Sequence, residues 1–214
     1  MSMLFNCPIP ATISGIAATT CPIKWDQIQK LAFGRKDSTR FPNEEAFLFE
    51  AHWEGLLTAA DDSKIVTTPY IAGFDIPASE PVAQGGNDNT TLNGVREIMG
   101  GQFVTVPFML KNVSAQTANE LRLLASETMV QPGVSNLQAY FFATNNNVIY
   151  DEGASGANFD GFTIYNLFVP DIASAGLNTN TMYNVTFDLA FGWSQYWAIQ
   201  QMPWNPRDLE NPAS

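Results

Sequence analysis

The chain has 214 residues, of which 45% are hydrophobic, 12% aromatic and only 14% charged. That is ample apolar material for one domain with a sizeable insertion, and less charge than a fully solvated surface carries. The formal net charge is −11, from 10 basic and 21 acidic residues, which excludes a conventional nucleic-acid binder, because displacing phosphate counterions needs a basic footprint.

Residues 1–44 read as an N-terminal arm or extension, with one helical turn over Trp25–Phe33 (WDQIQKLAF). Five cations fall between Lys24 and Arg40, and the reading there is a solvated charged loop, or else a small anion patch. The two cysteines, Cys7 and Cys21, lack further ligands for a zinc site, since the chain has a single histidine. A disulfide between them is open, but the N-terminus has no basic, apolar export signal, so the expectation is a protein made in the cytoplasm with reduced thiols. There is no run of 18 apolar residues, so no membrane partner is expected.

Residues 45–205 form the expected domain. Ala46–Glu54 alternates Phe47, Phe49, Ala51 and Trp53 with Leu48, Glu50, His52 and Glu54, as a half-buried strand does. Further strands are expected over 64–71, 102–110, 137–143, 147–150, 162–169 and 181–191. Pro107 points to an edge or bulge in its strand, and the Asn-rich ATNNNV (143–148) to a tight hairpin. Ser114 is placed to cap a helix over about 115–127, with Ala118, Leu121, Leu124 and Ala125 as its apolar stripe. Between the strands at 64–71 and 102–110 lies a glycine- and proline-rich loop, 73–101, too long for a passive connection. The tail after residue 205 reads as an arm, not core. The predicted fold is mainly β, an antiparallel β-sandwich or barrel with one flanking helix and one long projecting loop.

Three features invite a chemical reading. The loop segment Gln84, Gly85, Gly86, Asn87, Asp88, Asn89, Thr90, Thr91 has neither the lysine of a phosphate cradle nor the carboxylate ladder of a calcium loop. A mobile turn or a contact loop remains. Glu50, His52 and Glu54 would share one face of a strand, where two carboxylates and an imidazole suit a metal or acid–base work, or simply a polar exterior. Trp193, Trp197 and Trp204 are interface or core aromatics, or a sugar-stacking platform. No serine elbow, zinc helix or dinucleotide fingerprint is present. The expectation is no catalytic residue, no metal and no cofactor.

The loop GFDIPASEPVAQGGNDNTTLNGVREIMGG, the strand QFVTVPFML, the helix after NVS and the late pair FTIYNLFVP and TMYNVTFDLAFGW resemble the major tail tube proteins of long-tailed bacteriophages, over roughly residues 45–200. The resemblance implies a virion structural protein and a homo-oligomer: six subunits per ring, rings stacked into a tube that joins other tail proteins. DNA would pass through without specific binding. It makes 84–91 a ring-to-ring contact loop, and one polar strand face the lining of the lumen. Glu50, His52 and Glu54 are the first choice for that lining, and Asn184, Thr186 and Asp188 the second. An acidic lumen would not hold phosphate. Two readings compete with it: another virion structural protein, such as a capsid decoration or baseplate subunit, and a glycan-binding β-sandwich module.

Overall fold

The computed structural model describes residues 27–36, 40–78, 80–84, 97–111, 113–130, 137–171 and 182–212. Cys7 and Cys21, and most of the 84–91 segment, lie outside these. The described chain is mainly β, and every strand pairing in it is antiparallel.

The organising strand is β7 (Leu137–Ala143), LQAYFFA, buried at every position. On one side it pairs along its length with β1 (Ile28–Arg35). On the other it splits: Leu137–Ala139 pair with β9 (Phe162–Phe168), while Phe141 and Phe142 pair with β8 (Asn147–Asp151). The sheet then continues from β9 through β10 (Met182–Leu189) and β6 (Val104–Lys111) to β3 (Ile71–Ala72). β8 leads to β11 (Trp197–Gln201), and β1 to β2 (Ile65–Thr67).

Because β1 and β7 form a wall, each of their faces serves a separate core. Leu31, Phe33, Leu137, Ala139 and Phe141 face a first cluster with Val106, Phe108, Val185 and Phe187. Ala32, Tyr140 and Phe142 face a second, with Phe47, Trp53, Leu56, Val148 and Leu209. A strand buried on both faces loses the polar half of the alternating pattern, which explains the unbroken apolar run of β7.

The helix α3 (Ala115–Val130) covers the first cluster with Ala118, Leu121, Leu124 and Ala125, the expected stripe. Its start is the expected one too: Ser114 Oγ accepts from Thr117 N at 3.1 Å. Arg35 clamps α3 to β1 through both carboxylate oxygens of Glu127. The hairpin at 143–148 also forms as expected, with Asn145 and Asn146 at φ 61 and 59, a region that asparagine tolerates.

Four expectations are corrected. Residues 46–54 are not a strand but two helices, α1 (Glu44–Leu48) and α2 (Glu50–Thr58). Asn43 Oδ1 caps Ala46 N at 2.8 Å, and Glu44 and Glu45 occupy the first turn. The working apolar spacing is Trp53, Leu56 and Leu57, a helical one, while Phe49 is 61% exposed. Second, the segment at Trp25–Phe33 is largely strand: the wall position of β1 overrides its local helix propensity.

Third, the cations at 24–40 are not all solvated. Lys30 is buried, its Nζ donating to Arg207 O at 2.9 Å and Leu209 O at 2.6 Å. Arg40 is buried as well, donating to the carbonyls of Ser63, Arg35 and Asp62. Fourth, the C-terminal residues are not a free arm. Met202, Pro206 and Leu209 are buried, and Asn211 pairs with the backbone of Thr67 through both atoms of its carboxamide. The described residues on either side of 45–205, such as Leu31, Phe33 and Leu209, are therefore built into the same pair of cores.

The wall gives the fold a definite alkaline response. Burial pushes the Tyr140 hydroxyl well above the ordinary phenol range and that of Tyr150 up to about 12. Both stay neutral in the folded chain while the unfolded chain ionises near pH ~10, so the stability they give is intact below pH ~10 and is lost as pH rises toward 12. Lys30 acts oppositely and lower: burial lowers its pKa from 10.5, so its contribution grows with pH and is complete once the unfolded lysine has also lost its proton. Stability is thus expected to fall between pH 10.5 and 12, and Tyr150→Phe to flatten that fall. Denaturant titration over this range checks it. An equal fall in the variant would remove Tyr150 from the account.

Candidate assembly surface

Among the described residues, no group of three His, Cys, Asp or Glu side chains is placed to hold a metal ion. Glu50, His52 and Glu54 do not form the expected face. On α2 the first and third lie one turn apart and exposed, while His52 turns to the other side. There His52 Nε2 donates to Arg40 O at 2.8 Å, and its ring lies 5.4 Å from that of Phe41. That bond fastens α2 to the segment before it. Glu50 and Glu54 line a shallow depression with Asp208 and Glu210 of the C-terminal segment, four carboxylates meeting water.

The tryptophans are packed. Trp193 meets Phe162 edge-on at 5.2 Å and supports the first cluster, as does Trp197. Trp204 donates from Nε1 to Leu48 O at 2.8 Å and packs on the second. All three are partly buried and packed against one or the other cluster.

The long loop has a structured stem. β4 (Pro81–Gln84) pairs with β5 (Glu97–Gly101), and these two strands make a sheet of their own. The stem is anchored at its root: Gln102 N donates to Glu80 O at 3.0 Å, and the Phe191 ring lies against Gly101, where a Cβ would collide with it. Of the contact-loop residues only Gln84 is described. Gly85, Gly86, Asn87, Asp88, Asn89, Thr90 and Thr91 lie outside the described residues.

One broad strand face is left outward, that of β6, β10 and β9. Thr105 and Pro107, Met182 and Asn184, and Asn166 and Phe168 are exposed on it, with Thr186 and Asp188 half-buried between them. At Pro107, among the described residues, the strand has only β10 beside it, since β3 reaches Met109 and Leu110, so the expected edge character is present locally. The ladder between β9 and β10 slips by a residue near Asn166, which has φ 49, a bulge that turns its side chain outward. Asn166 Nδ2 then donates to Asp188 Oδ2 at 2.8 Å, and Thr105 Oγ1 to Asp188 Oδ1 at 2.6 Å. The only carboxylate of β10 is therefore held by two neighbouring strands. Phe103 is 56% exposed, its ring tilted against that of Tyr165 at 5.0 Å.

No protein-family model matches the chain, and no curated protein matches it. Among solved structures it is similar to a chain from the tail of an empty gene transfer agent particle with C6 symmetry, at 11% identity and a TM-score of 0.36, over 76% of this chain and 90% of that one. It is also similar to a chain from the virion of a native gene transfer agent particle, at 13% identity and a TM-score of 0.32, over 56% of this chain and 79% of that one.

Proposed function

We propose that this chain is a structural, self-assembling virion subunit of the tail-tube kind, forming rings of six that stack into a DNA-conducting tube. The observation that carries the reading is the β4–β5 stem. It is a separate two-stranded sheet that falls in chain order between β3 and β6 of the main one, and its two strands flank the polar segment 85–96 in the sequence. An isolated hairpin is marginal in water. It is useful where a second molecule receives it.

The described side chains support binding by surface rather than chemistry at a site. The β6–β10–β9 face takes over the lumen assignment from Glu50, His52 and Glu54, which lack the strand it required. Its residues Asn184, Thr186 and Asp188 are polar, and the one carboxylate is already engaged. Among the residues of its three strands this surface has one cation, Lys111 at the end of β6 opposite Met182, and otherwise offers passing phosphates no positive charge. Packing of the tryptophans argues against the glycan-binding reading.

A chain of net charge −11 repels its own copies, and added salt screens that repulsion. Sedimentation velocity across protein and salt concentration therefore tests the reading. Large species are expected to grow with both. A monomer at every condition up to about 10 mg/ml and 1 M salt would defeat it.

A further inference from the structure

We propose that the outer edge of β11 is a docking site for an extended strand of a second copy of this chain. The register decides which backbone groups face outward. Glu152 N donates to Tyr196 O at 2.9 Å, and Met202 N to Asn146 O at 2.8 Å. Between these two bonds Ala198 lies opposite Tyr150, and Gln200 opposite Val148. Hydrogen-bonded and non-hydrogen-bonded pairs alternate along an antiparallel ladder. Ala198 and Gln200 thus turn their peptide groups toward β8, and Ile199 and Gln201 turn theirs away. β11 ends the order of the sheet, and among the described residues no strand lies beyond it.

The fold treats its edges differently. At β2, the N–H and C=O of Thr67 are taken by the Asn211 carboxamide at 2.9 and 2.7 Å, a side chain standing in for the next strand. β4 begins with Pro81, which has no N–H to give. β11 has neither device. Its sequence WAIQQ carries no charge and no proline, and its ladder runs through five pairs without a bulge. Gln200 Nε2 makes a 3.3 Å contact with Gln201 O, a partial local cover. Edges that are not meant to pair are usually blunted by charge, proline, a bulge or a covering segment. A regular, uncharged edge is a template for strand addition.

A second copy is the fitting occupant because β11 is free of carboxylates. In so acidic a chain, an edge strand without carboxylates of its own lets a like-charged partner approach against less repulsion than one that carries them. This inference rests on the reading of the chain as a self-assembling subunit.

Residue-resolved hydrogen exchange, on the dispersed and the assembled protein, tests it. The amides of Ile199 and Gln201 are expected to exchange freely when dispersed and about 100-fold more slowly once assembled. Those of Ala198 and Gln200 should be protected in both states. Gln201→Pro removes one outward N–H at an exposed position and is expected to block assembly while the circular dichroism spectrum stays that of the parent. Gln201→Ala should assemble normally. If Ile199 and Gln201 exchange equally in both states, or if Gln201→Pro assembles like the parent, the β11 site is wrong and self-assembly stands. If the parent never assembles, self-assembly itself fails and the β11 site with it. Should Gln201→Pro unfold, the exchange pattern of the parent decides alone.

Discussion

A variant lacking residues 84–94 is expected to fold as the parent does and to form no tubes. The main sheet runs through β1–β3 and β6–β11, and β4 and β5 pair with each other outside it. Removing the end of the hairpin therefore breaks no ladder of either core. The melting temperature should shift by less than about 3 °C, because shortening a surface connection mainly changes loop-closure entropy. What is lost is the reach of the hairpin toward another molecule. Electron microscopy beside a melting curve reads both effects. Tubes as abundant as the parent's would remove the hairpin from the assembly contact, whereas a collapsed melting curve would show that it supports the fold.

Trp53→Ala is expected to have the largest effect on the isolated subunit. Trp53 is fully buried, meets Tyr140 and Phe142 edge-on at 5.3 and 5.6 Å, and donates from Nε1 to Phe47 O at 2.7 Å. Truncation opens a cavity against the wall strand, costing about 3–5 kcal/mol, and leaves the Phe47 carbonyl without its partner. Since domains of this size hold about 5–15 kcal/mol in all, the variant should unfold at much lower denaturant. Trp193, only half-buried at the other cluster, should cost less when truncated. A loss under about 1 kcal/mol for Trp53→Ala would mean that the second cluster does not close around it.

The parts of this architecture that the sequence makes legible are the ones whose partners are simple. β10 faces the core on one side and water on the other, so Tyr183, Val185, Phe187 and Leu189 keep a clean period of two. α3 lies on a sheet, so its stripe and its Ser114 cap are both visible. The helices α1 and α2 misled because Phe47, Phe49, Ala51 and Trp53 fit a strand period by chance. The capping Asn43, followed by Glu44 and Glu45, was the signal for a helix start, and it carried more information than the alternation.

β1 and the C-terminal segment were hidden for another reason. Lys30 and Arg40 look like surface residues, yet each is buried against backbone carbonyls supplied from elsewhere: residues 207 and 209 for Lys30, residues 35, 62 and 63 for Arg40. Burial of a cation depends on partners distant in the chain, which no local window contains. β11 escaped for a similar reason. WAIQQ is short and not alternating, and only its pairing with β8 makes it a strand. As for the candidate site, a long insertion was legible from its length and composition, but the β4–β5 pairing inside it was not. The lumen-facing choice was not, because it required knowing which segment is a strand.

The most direct test of the central claim is electron microscopy of the purified protein at high concentration. The account predicts rings of six copies stacked into hollow tubes, with the β6–β10–β9 face and Asn184, Thr186 and Asp188 turned toward the axis. Single particles of one subunit at every concentration, or an ordered assembly with that face on its outer wall, would contradict it.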